Sequence, residues 1–341
     1  IGTQPGRITT RSRLQEDVNA IYGTGFFRKV TVTPADTPLG VRVTFEVQPN
    51  PVLNQVVIEP IPPSEKKSVV PSEVIEKIFG GEYGQILNLR QFQDNVKELN
   101  KRYTGNCYEL AQVVGSPQIG DDGTVKLVVA EGVIENIQVR FFSKENEPVK
   151  GRTRDFIVTR EMQLKPGDVF KRNIAQQDLQ RIFGLGIFED ARLSFTPGED
   201  PREVVMNVDI VEKSTGSLAA GAGISSNSGL FGTFSYQQQN LGGNDQTLAA
   251  ELQIGTRDSF FDVSFTDPWI AGDPYRTSYT IDAFRRRSLS LVFNGPNNNI
   301  TTENGNSDPR IVRTGGGINF TRPYPANPYA PRPALVVSLG S

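Results

Sequence analysis

The sequence predicts an α+β protein of tandem β-α-α-β-β repeats, followed by the N-terminal strands of an antiparallel transmembrane β-barrel left incomplete in this chain. Three observations carry that reading. A glycine-hinged corner recurs as GTGFFRKVTVT at 23–33, TGNCYELAQVV at 104–114 and GLGIFEDARLSF at 184–195. A constant offset relates whole stretches of the first and third copies. From Gly216 onward, helical spacing gives way to alternation of apolar and polar residues.

Adding 161 to the first copy gives the third. Pro5 and Gly6 map to Pro166 and Gly167, and Asp17, Val18, Ile21 and Tyr22 map to Asp178, Leu179, Ile182 and Phe183. Gly23, Gly25 and Phe27 then map to Gly184, Gly186 and Phe188. An unbroken offset over such a length marks a true repeat. The middle copy matches at 78 through its helix, pairing Gly6 with Gly84, Val18 with Val96 and Ile21 with Leu99. It then matches at 81, pairing Phe27 with Tyr108 and Val30 with Ala111.

Each element of the repeat has its own signal. Leu14, Val18 and Ile21 recur at i, i+4, i+7, as do Phe92, Val96 and Leu99, which predicts an amphipathic helix. Gly23 and Gly184 fall where a helix needs a left-handed residue to stop, and with Gly25, Gly105 and Gly186 they make up the hinges. A strand follows at 27–33, 108–114 and 188–196, each opened by an aromatic expected to be buried: Phe27, Tyr108 and Phe188. A second strand closes the unit at 41–47, 124–130 and 203–211. Copies two and three also open with a strand, at 52–58 and 133–139, and an extra helix that Ser72 and Thr153 could cap. The first copy lacks the opening strand and most of that helix. The expected divisions are 1–49 (first repeat, N-terminally truncated), 50–131 (second), 132–213 (third) and 214–341 (barrel part).

Beyond the repeats, Leu218, Ala220, Ala222 and Ile224 alternate with small or polar residues. So do Leu230, Phe234 and Tyr236, then Leu248, Ala250, Leu252 and Ile254, then Phe261, Val263 and Phe265. Further strands are expected within 275–293, 310–320 and 333–341, seven in all. Segments near ten residues, apolar on one face and polar on the other, are what lipid-facing barrel strands require. Closed single-chain bacterial barrels use even strand numbers, so seven do not complete one. With the repeats in the periplasm, the turns at 240–245, 267–274 and 322–332 lie on the repeat side and the Asn-rich 294–308 loop lies outside. Trp269, Tyr275, Tyr324 and Tyr329 would form an aromatic girdle at the inner ends. The first strand, GSLAAGAGIS, is unusually bare. Gly216, Gly221 and Gly223 offer nothing to pack and Ala219, Ala220 and Ala222 offer little more, so the strand, with Leu218 as its one larger side chain besides Ile224, predicts a weak seam able to act as a gate.

Composition narrows the chemistry. In 341 residues there is no histidine, which removes the commonest general base and metal ligand, and one cysteine, Cys107, which reads as a small core residue. Serine–histidine and cysteine–histidine nucleophile systems cannot be built, and no enzyme, metal or other cofactor is expected. Net charge is −2, so no basic field calls for nucleic acid. No apolar run is long enough for a spanning helix, which leaves barrels open. The chain starts at Ile1 without the charged and apolar regions of a signal peptide. Smaller motifs read structurally: Gly184 and Gly186 as a hinge rather than a phosphate loop, Asp267 and Asp273 as turn residues, Gly315 to Gly317 as a bend or close approach. Arg285 to Arg287 fit a solvated strand end better than a nucleic-acid patch or a lipopolysaccharide contact.

The β-α-α-β-β unit with its G-x-G-x-[FY]-x-x-[AV] corner resembles the POTRA (polypeptide-transport-associated) domain. Three in tandem before a barrel resemble the outer-membrane assembly factor family typified by BamA, and TPLGVRVTFEVQPNPVLNQV at 37–56 resembles its cyanobacterial branch. The resemblance implies an outer-membrane protein that collects unfolded β-barrel proteins on periplasmic repeats and templates their insertion, with no covalent chemistry. It implies a barrel of roughly sixteen strands, most of them beyond Ser341. It places the strand after each hinge at a sheet edge, making Val30, Thr31, Val32, Thr33, Ala111, Gln112, Val113, Val114, Ala191, Arg192, Leu193 and Ser194 the substrate-binding candidates. Implied partners are unfolded barrel proteins, periplasmic accessory subunits or chaperones, and outer-membrane lipid, with no nucleic acid. Alternatives are a two-partner secretion pore, a chloroplast-type import channel, a periplasmic scaffold, and a barrel anchoring a surface enzyme whose catalytic domain lies outside this chain.

Overall fold

The computed structural model describes residues 1–61, 69–200, 203–226, 228–289, 310–324, 329 and 335–340. The first repeat contains α1 (Arg11–Tyr22), β1 (Phe27–Thr37) and β2 (Gly40–Pro49). The second runs β3 (Gln55–Ile61), α2 (Ser72–Phe79), α3 (Leu89–Gly105), β4 (Gln112–Ile119) and β5 (Thr124–Ala130). The third runs β6 (Val133–Phe142), a two-residue β7 (Pro148–Val149), α4 (Asp155–Thr159), α5 (Arg172–Gly184), β8 (Phe188–Pro197) and β9 (Glu203–Glu212). Seven further strands follow: β10 (Gly216–Ser225), β11 (Gly229–Leu241), β12 (Gln246–Gly255), β13 (Ser259–Asp267), β14 (Ser278–Leu289), β15 (Arg310–Tyr324) and β16 (Leu335–Gly340).

Two compact units divide the chain, and the division runs through the third repeat. One holds Ile1–Asn136, Leu164–Ile174 and Phe195–Met206; the other holds Ile137–Gln163, Ala175–Ser194 and Asn207–Ser341.

The second repeat shows why this order folds. The apolar face of α3 (Phe92, Leu99, Tyr103) meets Val125, Leu127 and Val129 of β5, all of them buried. The Phe79 and Phe92 rings close the layer at 5.1 Å between centroids. Asn88 starts α3, its Oδ1 accepting from the Arg90 amide at 3.0 Å, and Thr10 starts α1 by accepting from Arg13. Ser72 and Thr153 do not cap. Pro71 and Arg154 occupy those positions without a side-chain bond, because α2 begins at Ser72 itself and Thr153 is engaged elsewhere.

The repeated acid has a shared task. Asp17 accepts from the Thr3 amide at 2.8 Å, and Asp178 accepts from the Gln163 amide at 2.9 Å. Each pins the segment preceding its helix. In the middle copy Asn95 holds that place, donating to Glu82 at 2.6 Å.

The hinges correct the expected left-handed stop at two glycines. Gly23 is right-handed (φ −59) and Gly184 is the last residue of α5, as Gly105 is of α3. The left-handed residues are Gly25 (φ 84), Gly186 (φ 72) and, in the middle copy, Cys107 (φ 69). Each helix tightens into a turn before the chain reverses hand. Tyr108 then sits in a second turn, closed by the Ala111 amide donating to its carbonyl, so β4 starts only at Gln112.

Strands β10 to β16 form one antiparallel sheet in sequential order. Register makes its two faces explicit. One row crosses Ala220, Phe234, Leu252, Phe261, Arg285 and Thr314; another crosses Leu218, Tyr236, Ala250, Val263, Ala283 and Gly316. The opposite face carries Ala219, Ser235, Glu251, Asp262, Phe284 and Gly315. An apolar face backed by a polar one is the pattern of a barrel wall between lipid and water. No helix is long and apolar enough to cross a membrane among the described residues. The loop expected at 294–308 and most of the 322–332 turn lie outside the described residues.

Candidate functional site

The strand that follows each hinge lies at a sheet edge. Among the described residues β1 pairs only with β2, β4 is outermost in the order β3-β5-β4, and β8 is outermost in β7-β6-β9-β8. Val30, Thr31, Val32 and Thr33 fall in β1, Gln112, Val113 and Val114 in β4, and Ala191, Arg192, Leu193 and Ser194 in β8; Ala111 precedes its strand. An edge strand presents backbone donors and acceptors that another chain can pair with.

Two of these edges are partly occupied by their own helices. The Val30 amide donates to the Tyr22 hydroxyl at 3.0 Å, and the Val113 amide donates to Asn100 Oδ1 at 3.2 Å. Sequence reading missed these contacts, since the donors and acceptors are ordinary polar residues of a helix surface. On β8 the ties run through side chains: Ser194 Oγ donates to Asp209 at 2.9 Å, and Arg140 bridges both residues.

Each hinge also presents a carbonyl to the element that follows. Gly25 accepts from the Leu89 amide at 2.9 Å, at the start of α3, while the buried Asn50 amide group donates to Gly25 and Leu87. Cys107 accepts from the Arg172 amide at 2.9 Å, at the start of α5, and Arg172 pairs with Glu109 at 2.6 Å. In the third copy, Gly186 accepts from Lys213 Nζ at 3.2 Å, just before β10. The recurring corner is therefore the joint of the repeat array.

A cluster that the sequence did not reveal fixes the third repeat against the barrel turns. Arg160, at the end of α4, donates to Asp245 at 2.9 Å and to the Trp269 carbonyl at 3.2 Å. The guanidinium groups of Arg160 and Arg276 lie 5.3 and 5.2 Å from the centre of the Trp269 ring. Arg276 donates to Glu161 at 3.1 Å, and Thr153 links Glu212 to Asn240 at 2.5 and 2.7 Å. The Arg154 amide bonds the Gly243 carbonyl in the β11–β12 turn. Burial raises the carboxyl of Glu161 above its ordinary range and pushes Asp245 up to about 6, against the pull of Arg160. The same burial lowers Arg160 from its usual value. Trp269 is thus buried under the third repeat rather than displayed to lipid in a girdle. The one sequence signal was a lone tryptophan between two aspartates, and those serve as turn residues: Asp267 accepts from the Trp269 amide, Asp273 from that of Thr277.

β10 pairs with β11 along its whole length, and its other edge carries no partner among the described residues. Its bare positions have neighbours opposite. A side chain on Gly223 would meet the Phe231 ring at 2.7 Å, and one on Gly221 would meet Thr233 Oγ1 at 3.1 Å. Gly315 stands in the same relation to Phe284, at 2.8 Å. Gly223 and Gly315 each seat an aromatic lying across the ladder.

Comparisons with known proteins agree with this architecture. The Omp85 superfamily domain matches residues 240–334, a POTRA family described as a surface antigen variable number repeat matches 1–50 and 148–213, and a ShlB-type POTRA domain matches 56–132. The solved POTRA1-3 of the periplasmic domain of Omp85 from Anabaena is 56% identical, with a TM-score of 0.59, over 62% of this chain and 85% of that one. The N-terminal domain of Omp85 from Thermosynechococcus elongatus is 47% identical, with a TM-score of 0.57, over 63% and 89%. Among curated proteins, the chloroplastic outer envelope protein 80 of Arabidopsis thaliana is 32% identical over 92% of this chain and 42% of its own length. The outer membrane protein assembly factor BamA of Neorickettsia risticii is 27% identical over 59% and 27%. The chain spans under half the length of these curated relatives. It belongs to the Omp85 superfamily of outer-membrane proteins, as periplasmic POTRA repeats leading into the N-terminal strands of the β-barrel.

Proposed function

We propose that the chain is the substrate-collecting and gating portion of an outer-membrane β-barrel assembly factor. The observation that carries this reading is the edge placement of β1, β4 and β8, one after each hinge. Edge pairing draws affinity from main-chain bonds and makes little demand on sequence, which suits a receptor for many unfolded barrel proteins. The side of β10 that has no partner among the described residues would continue the same chemistry in the membrane, where unsatisfied backbone groups are costly and an incoming strand is captured. Binding and insertion would draw on strand pairing and lipid burial, without a cofactor or covalent step. Accessory subunits or chaperones would deliver substrate.

The test is reconstitution of the full-length protein in liposomes with an unfolded barrel substrate. Protease-resistant, membrane-embedded substrate is expected, along with crosslinks from positions in β4 and β8. Insertion without such crosslinks would remove the edge-binding role. A protein-translocating pore is the second reading, and the same reconstitution separates it. It predicts protected substrate inside the vesicle rather than in its membrane.

A further inference from the structure

We infer that the outer face of β14 and β15 carries a binding site for the anionic headgroup of a membrane lipid. Arg285 stands in the apolar row with Phe261 and Thr314, and Arg287 pairs with Ser259 and Val312 two residues further along the same face. Arg310, opposite Leu289, has the same parity, so three arginines converge at one end of two neighbouring strands. Arg285 and Arg310 are exposed, and Arg287 Nε is buried without a hydrogen-bond partner.

The two faces treat arginine differently. On the polar face Arg286 pairs with Asp262 at 2.8 Å, with Glu251 and Asp282 on the same side. On the apolar face, among the described strand residues of β10 to β15, Asp267 is the single carboxylate, and it lies at the opposite strand end. Three cations therefore face the apolar medium with no counter-charge among those strands.

Depth makes this tolerable and useful. The turns that meet the third repeat mark the inner end of the sheet, near the Asp267–Tyr279 pair. At about 3.3 Å per residue, Arg285 lies roughly 20 Å further along the strand and Arg287 roughly 26 Å. With strands tilted by about 40°, both sit in the outward part of an apolar band roughly 25 Å tall. Arginine there extends its head toward the interface while its stem covers apolar surface. Guanidinium groups recognise phosphate oxygens in pairs, so a phosphate-bearing lipid of the outward leaflet fits this patch.

The experiment uses the full-length protein in nanodiscs of phosphatidylcholine containing a minority of phosphatidylglycerol, with retained lipids counted by native mass spectrometry. The wild type should retain phosphatidylglycerol several-fold above its bulk share. R285Q/R287Q/R310Q should fall to the bulk ratio, while the polar-face variant R286Q/R313Q should keep the enrichment. Heat-modifiable electrophoretic mobility confirms that each variant is folded. Absence of enrichment in the wild type, undiminished enrichment in the folded triple glutamine variant, or equal loss in R286Q/R313Q would overturn the assignment.

Discussion

Arg160 donates to Asp245 at 2.9 Å, joining the end of α4 to the turn between β11 and β12. Both partners are largely withdrawn from water, and burial pushes Asp245 up to about 6. Its ordinary value is 3.8, so the folded junction holds the proton more tightly than the unfolded chain does. The resulting stabilisation is fully present below about pH 4 and lost as pH rises through about 6. Glu161, raised by the same burial, acts with the same sign. Hydrogen exchange corrected for intrinsic rate should therefore show residues 153–161 better protected at pH 5 than at pH 7.5. Asp245→Asn should flatten that dependence. Protection that rises with pH would contradict the assignment.

The third hinge aromatic gives a stability test. Phe188 is 3% exposed and starts β8, whereas Gln176 lies on the exposed side of α5. Phe188→Ala should cost about 3–5 kcal/mol and lower the melting temperature of the third repeat well below that of Gln176→Ala. Phe27 and Tyr108 are only half-buried, so their alanine variants should lose less. Equal melting of Phe188→Ala and Gln176→Ala would refute the packing role.

These two cases mark what the sequence could express. Phe188 was legible because an offset of 161 carries it onto Phe27 and because helix and strand periods around it are local patterns. The hinge handedness was less so: whether Gly23 or Gly25 turns left-handed depends on how far the helix tightens before it ends. The cluster of Arg160, Glu161, Asp245 and Arg276 was invisible. Its members lie 85 and 115 residues apart and meet only through the fold of the third repeat and the barrel turns. Trp269 likewise looked like an interface aromatic until two guanidinium groups were found on its ring.

The edge contacts of the second repeat predict a gain of binding. Asn100 holds the Val113 amide, so a visiting strand must displace it before pairing there. Asn100→Ala should release one hydrogen-bond donor, worth about 1 kcal/mol, or roughly fivefold in affinity for an extended peptide. Leu193→Pro in β8 should do the reverse by removing a backbone donor from an edge strand. Photo-crosslinking of unfolded substrate measures both. Reduced crosslinking in Asn100→Ala would show that the asparagine supports substrate rather than competing with it.

The last expectation concerns β10, whose second edge has no partner among the described residues and whose glycines fall on both faces, Gly216 on one and Gly221 and Gly223 on the other. Two physical readings of those glycines compete. In one, they only seat partners across the ladder, as the Phe231 ring over Gly223 indicates. In the other, they leave the free edge without the side-chain pairs that would hold a neighbour, each worth roughly 0.2–1 kcal/mol. The first concerns the β11 side of the strand and the second the open side, so separate substitutions reach them. Gly223→Val should displace Phe231 and destabilise the β10–β11 pair, seen as loss of heat-modifiable mobility in the full-length protein. A disulfide locking Ala220 to the last barrel strand leaves that pair intact and closes only the seam. Locked protein should fail to insert an unfolded barrel substrate, and reduction should restore insertion to the unmodified rate. Normal insertion by the locked form would leave β10 a wall strand, its glycines explained by Phe231 and Thr233 alone.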